Sequence, residues 1–159
     1  MLLQLTLATA MVLGTVLIHL FGLAALVRVL RSHSRFFRKL RIMPLTLLLT
    51  ATLGIIAIHT VEIWAYALVY LQLGALGNFE EALYFSTVTY STIGYGDVVL
   101  PHDWRILGAI EGAVGIIMLG WSTAFLVSLL TRLKLLSHDW LSADTGHAAE
   151  PAARGGGAA

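Results

Sequence analysis

Cysteine is absent from this 159-residue chain, and only 12% of its residues are charged. The first absence excludes a disulfide framework and any metal site made of thiolates. The second, together with a hydrophobic content of 58%, excludes an ordinary soluble domain. The sequence also shows no plausible pair of nucleophile and base and no cluster of metal ligands, so we expect neither an enzyme nor an organic cofactor.

The few basic residues are concentrated in one short connection. Six of the ten lysines and arginines lie there: Arg28, Arg31, Arg35, Arg38, Lys39 and Arg41. Nucleic-acid binding is not indicated, because long apolar segments flank this run on both sides. Residues 31–44 instead predict a short amphipathic helix at the cytoplasmic membrane surface, where the last four of these residues would attract anionic lipid. A basic loop that only sets the topology is the alternative interpretation.

Three stretches are long and apolar enough to cross a bilayer, which takes about 20 residues in a helix. We predict an N-terminal spanning helix at residues 1–30 and two further ones at 45–73 and 105–135. The first stretch has no basic start and is too long for a signal peptide, and it lacks the arginine ladder of a voltage sensor. The last part of the chain, 136–159, is rich in alanine and glycine and predicts a short cytoplasmic tail without a folded domain.

The positive-inside rule orients these helices. The basic connection is expected in the cytoplasm, so the N-terminus would lie outside the plasma membrane. The second helix then runs outward and the third returns, with Arg132 and Lys134 at its cytoplasmic end and the C-terminus in the cytoplasm. Four aromatic residues are interpreted as anchors at the membrane interfaces: Trp64, Tyr66, Tyr70 and Trp104.

Residues 79–91, between the last two spanning segments, are too few to cross the membrane and predict a re-entrant helix. Asn78 is its expected N-cap, with acidic residues in the first turn. The helix leads into the run Thr92-Ile93-Gly94-Tyr95-Gly96-Asp97. Successive carbonyls that point to one side need some residues at positive φ, which Gly94 and Gly96 adopt at little cost.

With this motif, residues 45–135 resemble the pore module of tetrameric potassium channels: an outer helix, a pore helix at 79–91, a selectivity filter at 92–97 and an inner helix. The resemblance implies that backbone carbonyls replace the water shell of a dehydrated K⁺ ion, the mechanism known for that family. The implied K⁺-binding residues are Thr92, Ile93, Gly94, Tyr95 and Gly96. Because the chain holds one filter and no internal repeat, four copies would assemble as a homotetramer.

The same resemblance assigns supporting roles around the filter. Asp97 would cap the outer mouth, and Tyr84 and Phe85 would form an aromatic cuff in which the Tyr84 hydroxyl donates to Asp97. Val88 stands where some bacterial members of the family carry a glutamate. This departure removes one known brace of the filter.

In the inner helix, Gly115 aligns with the glycine that is regarded as a gating hinge in this family. Close helix packing is an equal alternative for Gly115 and the preferred explanation for Gly120, which is expected to face the pore helix. Residues at helical spacing on one face would line the cavity and the inner gate: Ile116, Leu119, Thr123, Val127 and Thr131.

Ionisable groups also occur at membrane depth, where they are costly and usually functional. His59 and Glu62 lie three residues apart on one face of the second helix, and Glu111 lies within the third. We expect a polar contact of these residues behind the pore helix, which would couple the outer and inner helices to the filter. A purely structural hydrogen-bonded group is the alternative. His19 in the first helix is interpreted as a satisfied polar group and not as a ligand.

Passive, K⁺-selective conduction is therefore the function that the sequence favours. A non-selective cation channel is the nearest rival, and the intact filter argues against it, since relatives with relaxed selectivity typically alter the residue that is Tyr95 here. A non-conducting accessory subunit of another channel is the alternative from a different class.

Overall fold

The computed structural model describes residues 2–36 and 43–132, and these residues are almost entirely helical. The helices are α1 (Leu2–Phe36), α2 (Met43–Gln72), α3 (Phe79–Tyr90) and α4 (Arg105–Arg132), and a single 3₁₀ turn (His102–Trp104) precedes α4. Within the described ranges there is no strand, and three stretches are long and apolar enough to cross a membrane. The predicted all-α architecture with three long apolar helices is confirmed.

The first helix is longer than the sequence predicted. We expected it to end near residue 30 and a separate connection to occupy 31–44, but α1 continues to Phe36 and α2 already begins at Met43. No glycine or proline interrupts residues 31–36, so nothing in the backbone ends the helix there. Of the predicted amphipathic connection at 31–44, residues 37–42 lie outside the described residues, and its contact with anionic lipid stays a prediction.

The turn between α2 and α3 follows from local sequence signals. Gly74 has φ 61°, and the N–H groups of Gly74 and Ala75 donate to the carbonyls of Leu71 and Tyr70, both at 3.0 Å. This is the Schellman arrangement, which requires a left-handed residue and therefore favours glycine. At the start of α3, the Asn78 side chain accepts a hydrogen bond of 2.9 Å from the N–H of Glu81, so the predicted N-cap is confirmed.

The short helix α3 packs between α2 and α4, and α1 packs along α2 and α4 on the outside of this unit. Two glycines let α1 approach α2 closely. A Cβ on Gly22 would lie 2.7 Å from Ile58, and a Cβ on Gly54 would lie 2.5 Å from Leu26. These distances are too short for real Cβ contacts, so a larger residue at either position would have to displace the Ile58 or Leu26 side chain, and glycine allows the closer approach.

Two of the predicted interface anchors are wrong. Tyr66 and Tyr70 are 0% exposed and belong to the core between α1, α2 and α3, where Tyr70 stacks edge-on against Phe85 at 5.3 Å. Trp64 differs, since it is 50% exposed beside Phe79. The tyrosines are buried because they lie on the face of α2 that turns towards its neighbours, and the apolar sequence of α2 gives no sign of which face that is.

Candidate functional site

The segment that follows α3 has the backbone pattern that we predicted for an ion filter. Gly94 and Gly96 have φ 55° and 77°, so the predicted positive φ values are confirmed. Thr92 also has a positive φ, 61°, which the sequence did not suggest. Because Ile93 and Tyr95 keep negative φ, left-handed residues occur at every second position. Such alternation is what allows consecutive carbonyl groups to point to one side.

Two hydrogen bonds attach this segment to α3. The Gly94 N–H donates to the Val88 carbonyl at 3.0 Å, which satisfies one of the free carbonyls at the end of the helix. At the outer end of the segment, the Tyr84 hydroxyl donates to Asp97 Oδ2 at 2.6 Å, and the hydrogen bond that the sequence predicted is therefore present. This bond lowers the pKa of the Asp97 carboxyl and raises that of the Tyr84 hydroxyl. The role of these residues in supporting a filter stays a prediction.

In the single chain, the large side chains of the segment after α3 are exposed to solvent. Ile93 is 53% exposed and Tyr95 is 71% exposed, whereas Phe85 and Val88 on α3 are buried behind them. Large exposed apolar groups of this kind indicate a surface that is covered by another protein chain or by the lipid bilayer.

The predicted cavity residues share one exposed face of α4: Ile116, Leu119, Thr123, Val127 and Thr131. The Thr123 and Thr131 hydroxyls donate to backbone carbonyls one turn earlier, both at 2.9 Å. Their hydrogen-bonding groups are thus used within the helix, and this face is largely apolar. Lining of a cavity by these residues stays a prediction.

Two glycines near the start of this face, Gly112 and Gly115, pack α4 on α3. A Cβ on Gly115 would overlap the carbonyl oxygen of Tyr90, and Gly112 lies beside the carbonyl of Thr89 in the same way, at 3.4 Å. This geometry explains Gly115 by close packing, while its action as a hinge stays a prediction. For Gly120, the expected contact with the pore helix of the same chain is absent, since nothing in the described chain lies within 4 Å of its Cβ position. Close packing of Gly120 against another copy of the chain stays a prediction.

The buried ionisable residues fall into two clusters, not one. In the first, Glu111 on α4 accepts hydrogen bonds from the Tyr70 hydroxyl at 2.6 Å and from Ser86 Oγ at 2.5 Å. Ser86 Oγ also lies 2.9 Å from the Ile63 carbonyl, so its single hydrogen is shared between two acceptors. Since these residues belong to α2, α3 and α4, the cluster joins all three helices around a carboxyl group that is 0% exposed.

The second cluster surrounds Glu62. His19 Nδ1 lies 2.9 Å from Glu62 Oε1, and His59 Nδ1 lies 3.0 Å from Oε2, which also accepts a hydrogen bond from the Tyr90 hydroxyl. On the far side of the two rings, Ser122 Oγ lies 3.0 Å from His59 Nε2 and 3.4 Å from His19 Nε2. We call His19, His59, Glu62, Tyr90 and Ser122 the histidine cluster.

Sequence reasoning found only part of these clusters. It singled out His59, Glu62 and Glu111, and their coupling to the filter stays a prediction. It missed the pairing of His19 with Glu62, although the cost of an imidazole at membrane depth should have prompted a search for a partner. The expectation of no metal-ligand cluster was also wrong, because ligand atoms of His19, His59 and Glu62 all lie within 4.8 Å of one another.

Residues 45–132, which comprise α2, α3, the segment after it and α4, match a family model described as "Ion channel". No curated protein and no solved structure matches the chain. The match covers more than half of the 159 residues, and α1 lies outside it. Together with the three apolar helices, it makes this a membrane-embedded protein. The chain belongs to the ion channel family, in the branch whose pore unit has two transmembrane helices.

Proposed function

We propose that this protein is a K⁺-selective channel that conducts passively through a homotetrameric pore. The observation that carries the proposal is the alternating backbone of Thr92, Gly94 and Gly96, with φ 61°, 55° and 77°. In this arrangement, carbonyl oxygens take the place of the water shell of K⁺. Residues 92–96 contain no charged side chain, so neutral oxygens would bind the ion. Conduction requires binding that is weak enough for the ion to leave the filter again, and neutral oxygens bind a monovalent cation in this way.

The surfaces of the single chain support assembly around an axis. Each chain supplies one filter segment, and the side chains of Ile93 and Tyr95 are exposed on it. The face of α4 that carries Ile116 and Val127, 59% and 49% exposed, is also uncovered. Four copies would bring the four segments around one ion path and place these α4 faces below it, since a closed ring buries equivalent surfaces of every chain.

Two attachments of the filter to α3 support selectivity rather than a loose cation pore. The hydrogen bond from Gly94 to the Val88 carbonyl and the one from Tyr84 to Asp97 tie the middle and the outer end of the segment to α3. These bonds restrict the positions of the carbonyl groups that would bind the ion. The C-terminal end of α3, which carries a partial negative charge, would favour a cation below the filter.

The membrane orientation follows from the basic residues. With the connection after α1 in the cytoplasm, the filter lies at the extracellular side of the plasma membrane and the N-terminus is outside. Anionic lipid at the cytoplasmic surface would then meet Arg35, Arg38, Lys39 and Arg41.

The test is ion flux through the purified protein in liposomes with a K⁺ gradient, with Rb⁺ or Na⁺ as the competing ion. We expect flux of K⁺ and Rb⁺ but not of Na⁺. Gly94→Ala should abolish it, because a side chain at φ 55° is strained. Gly14→Ala is the matched control, since a Cβ would have no atom within 4 Å at either position but Gly14 is an ordinary helical residue.

Two other results would support the alternative functions. Equal flux of Na⁺ and K⁺ would support an ion-conducting pore but refute K⁺ selectivity. A chain that assembles with four-fold stoichiometry but carries no ion under any gradient would favour the accessory subunit, and a stable dimer by cross-linking would contradict the ring of four chains.

A further inference from the structure

The histidine cluster brings together side chains from all four helices in a place that the ion path does not use. His19 comes from α1, His59 and Glu62 from α2, Tyr90 from the end of α3 and Ser122 from α4. All of them are buried: His19 and Glu62 are 0% exposed, and His59, the most accessible of the five, is 9% exposed. A carboxyl group and two imidazoles at this depth require a compensating arrangement.

Hydrogen bonds among these five side chains fit two arrangements of the imidazole hydrogens. Six close donor–acceptor distances connect them. An ionised Glu62 supplies no hydrogen, and each neutral imidazole and each hydroxyl supplies one. If both Nδ1 atoms carry hydrogen, both rings and Tyr90 donate to Glu62, Ser122 donates to His59, and His19 Nε2 keeps only its 3.4 Å contact with Ser122. If both Nε2 atoms carry it, two Nδ1 lone pairs face the carboxylate, and this arrangement needs a cation between them.

A metal ion would stabilise the second arrangement. With hydrogen on Nε2, both rings donate to Ser122 Oγ, whose two lone pairs can accept them. The two Nδ1 lone pairs then face Glu62, where an ion would bind them together with a carboxylate oxygen. Metal-binding histidines normally donate their second ring N–H to an acceptor, and the Ser122 oxygen lies where it can accept from both rings.

The donor set favours a transition metal. Two imidazole nitrogens and one carboxylate oxygen are ligands of zinc, whereas Mg²⁺ and Ca²⁺ prefer oxygen alone. The Nδ1–Oε distances are 2.9 and 3.0 Å. Zinc bonds of about 2.0–2.1 Å in a tetrahedron would need ligand atoms about 3.3 Å apart. Each Nδ1 lies within a few tenths of an ångström of this spacing from one Glu62 oxygen, and the ligand atoms of the three residues all lie within 4.8 Å of one another, so small side-chain rotations would suffice to bind the ion. The Tyr90 hydroxyl lies 3.0 Å from His59 Nδ1 and is in place as a fourth ligand.

We propose that His19, His59 and Glu62 form a binding site for a transition-metal ion of the Zn²⁺ type, with the Tyr90 hydroxyl completing the coordination. The ion joins α1, which lies outside the matched pore unit, to α2 and to the last residue of α3. Tyr90 lies two residues before Thr92, and its carbonyl packs against Gly115. A bound ion therefore holds the extra helix against the back of the pore and stabilises the packing below the filter.

The first experiment measures metal binding, and it needs no ion flux. The full-length protein, purified in detergent with its affinity tag removed and stripped with a chelator, is titrated with Zn²⁺ against a fluorescent zinc indicator. Elemental analysis then gives the stoichiometry, and Co²⁺ reports the coordination geometry by its visible absorption. We expect about one ion per chain and the intense absorption of tetrahedral Co²⁺.

Variants locate the site. His19→Gln and His59→Gln should weaken binding by at least about tenfold, and Ser122→Ala, which removes only the outer partner, by about tenfold. His102→Gln, at an exposed histidine, and Glu111→Gln, at the other buried carboxyl group, are the matched controls and should bind as the wild type does. Ser122→Ala keeps the test decisive if a histidine variant does not fold, since it leaves all ligands in place.

Three results would overturn the proposal. They are a stoichiometry well below one ion per chain, wild-type affinity in both His19→Gln and Ser122→Ala, and a cluster whose stability responds to pH but not to Zn²⁺. The last result would mean that the cluster binds a proton and not a metal ion. Because these readouts do not involve conduction, a failure here is distinct from a failure of the proposed channel function.

Discussion

The contact between Gly115 and Tyr90 gives the sharpest test of how the pore unit is packed. In Gly115→Ala, the new methyl group would meet the backbone of Tyr90, with the carbonyl carbon at 2.9 Å, the Cα at 3.1 Å and the carbonyl oxygen closer than either. A flexible side chain can move away from such an overlap, but a backbone at the end of a helix cannot. Helix α4 must therefore withdraw from α3 until these distances reach ordinary contact values of at least 3.4 Å.

The expected magnitude is that of overpacking in a close-packed interior, about 1–3 kcal/mol of destabilisation. At about 2–4 °C per kcal/mol for a chain of this size, the midpoint of thermal unfolding should fall by several degrees. The assay is the temperature at which the purified protein loses its monodisperse form, followed by size-exclusion chromatography or intrinsic fluorescence.

Gly120→Ala is the matched control, because it makes the same change five residues further along α4, where the described chain has nothing within 4 Å. Alanine also has the higher helix propensity, so this variant should be as stable as the wild type or slightly more stable. Equal midpoints for the two variants would refute the packing argument. A changed ion flux with an unchanged midpoint in Gly115→Ala would instead support the hinge interpretation.

Three further predictions concern α3 and its attachments. Ser86→Ala should destabilise the fold by about 1–3 kcal/mol, because it removes the one hydroxyl hydrogen that the buried Glu111 carboxyl group and the Ile63 carbonyl share. Thermal unfolding measures this, and a change below about 0.5 kcal/mol would contradict it. Asn78→Ala should cost about 1 kcal/mol through the lost N-cap, and Asn78→Ser, which retains a capping oxygen, should restore most of it. Because the Tyr84 hydroxyl lowers the pKa of Asp97, their pair stabilises the protein above the ordinary carboxyl pKa, and this contribution is lost as pH falls through the lowered value. The stability difference between wild type and Tyr84→Phe should therefore be largest at neutral pH and shrink in acid, and a difference that is constant with pH would show that the pair is not ionised as described.

Local features of the pore unit were predictable because their signals lie within a few residues of one another. The Asn78 cap depends on a side chain and an N–H three residues away, and the positive φ of Gly94 and Gly96 depends on the absence of a Cβ. The hydrogen bond from Tyr84 to Asp97 was predicted through a resemblance that preserves the spacing of a short helix and the loop after it. In all of these cases, the backbone path alone brings the partners together.

The end of α1 shows where a local signal misleads. Its basic residues were interpreted as a connection because charge is rare in the rest of the chain, but charge does not stop a helix. Proline, or a glycine in the left-handed conformation, ends a helix, and neither proline nor glycine occurs in the last turns of α1 before Phe36.

The sequence by itself determined the class of the fold, the order of its helices and the backbone of the candidate filter, since composition, segment length and glycine position specify these directly. Only the tertiary structure decided that Tyr70 is buried beside Glu111, that Gly115 packs on α3 whereas Gly120 does not, and that His19 meets Glu62. These partners come from different helices. Spanning helices are apolar on every side, so the sequence does not reveal how each is rotated, and rotation decides which polar groups meet.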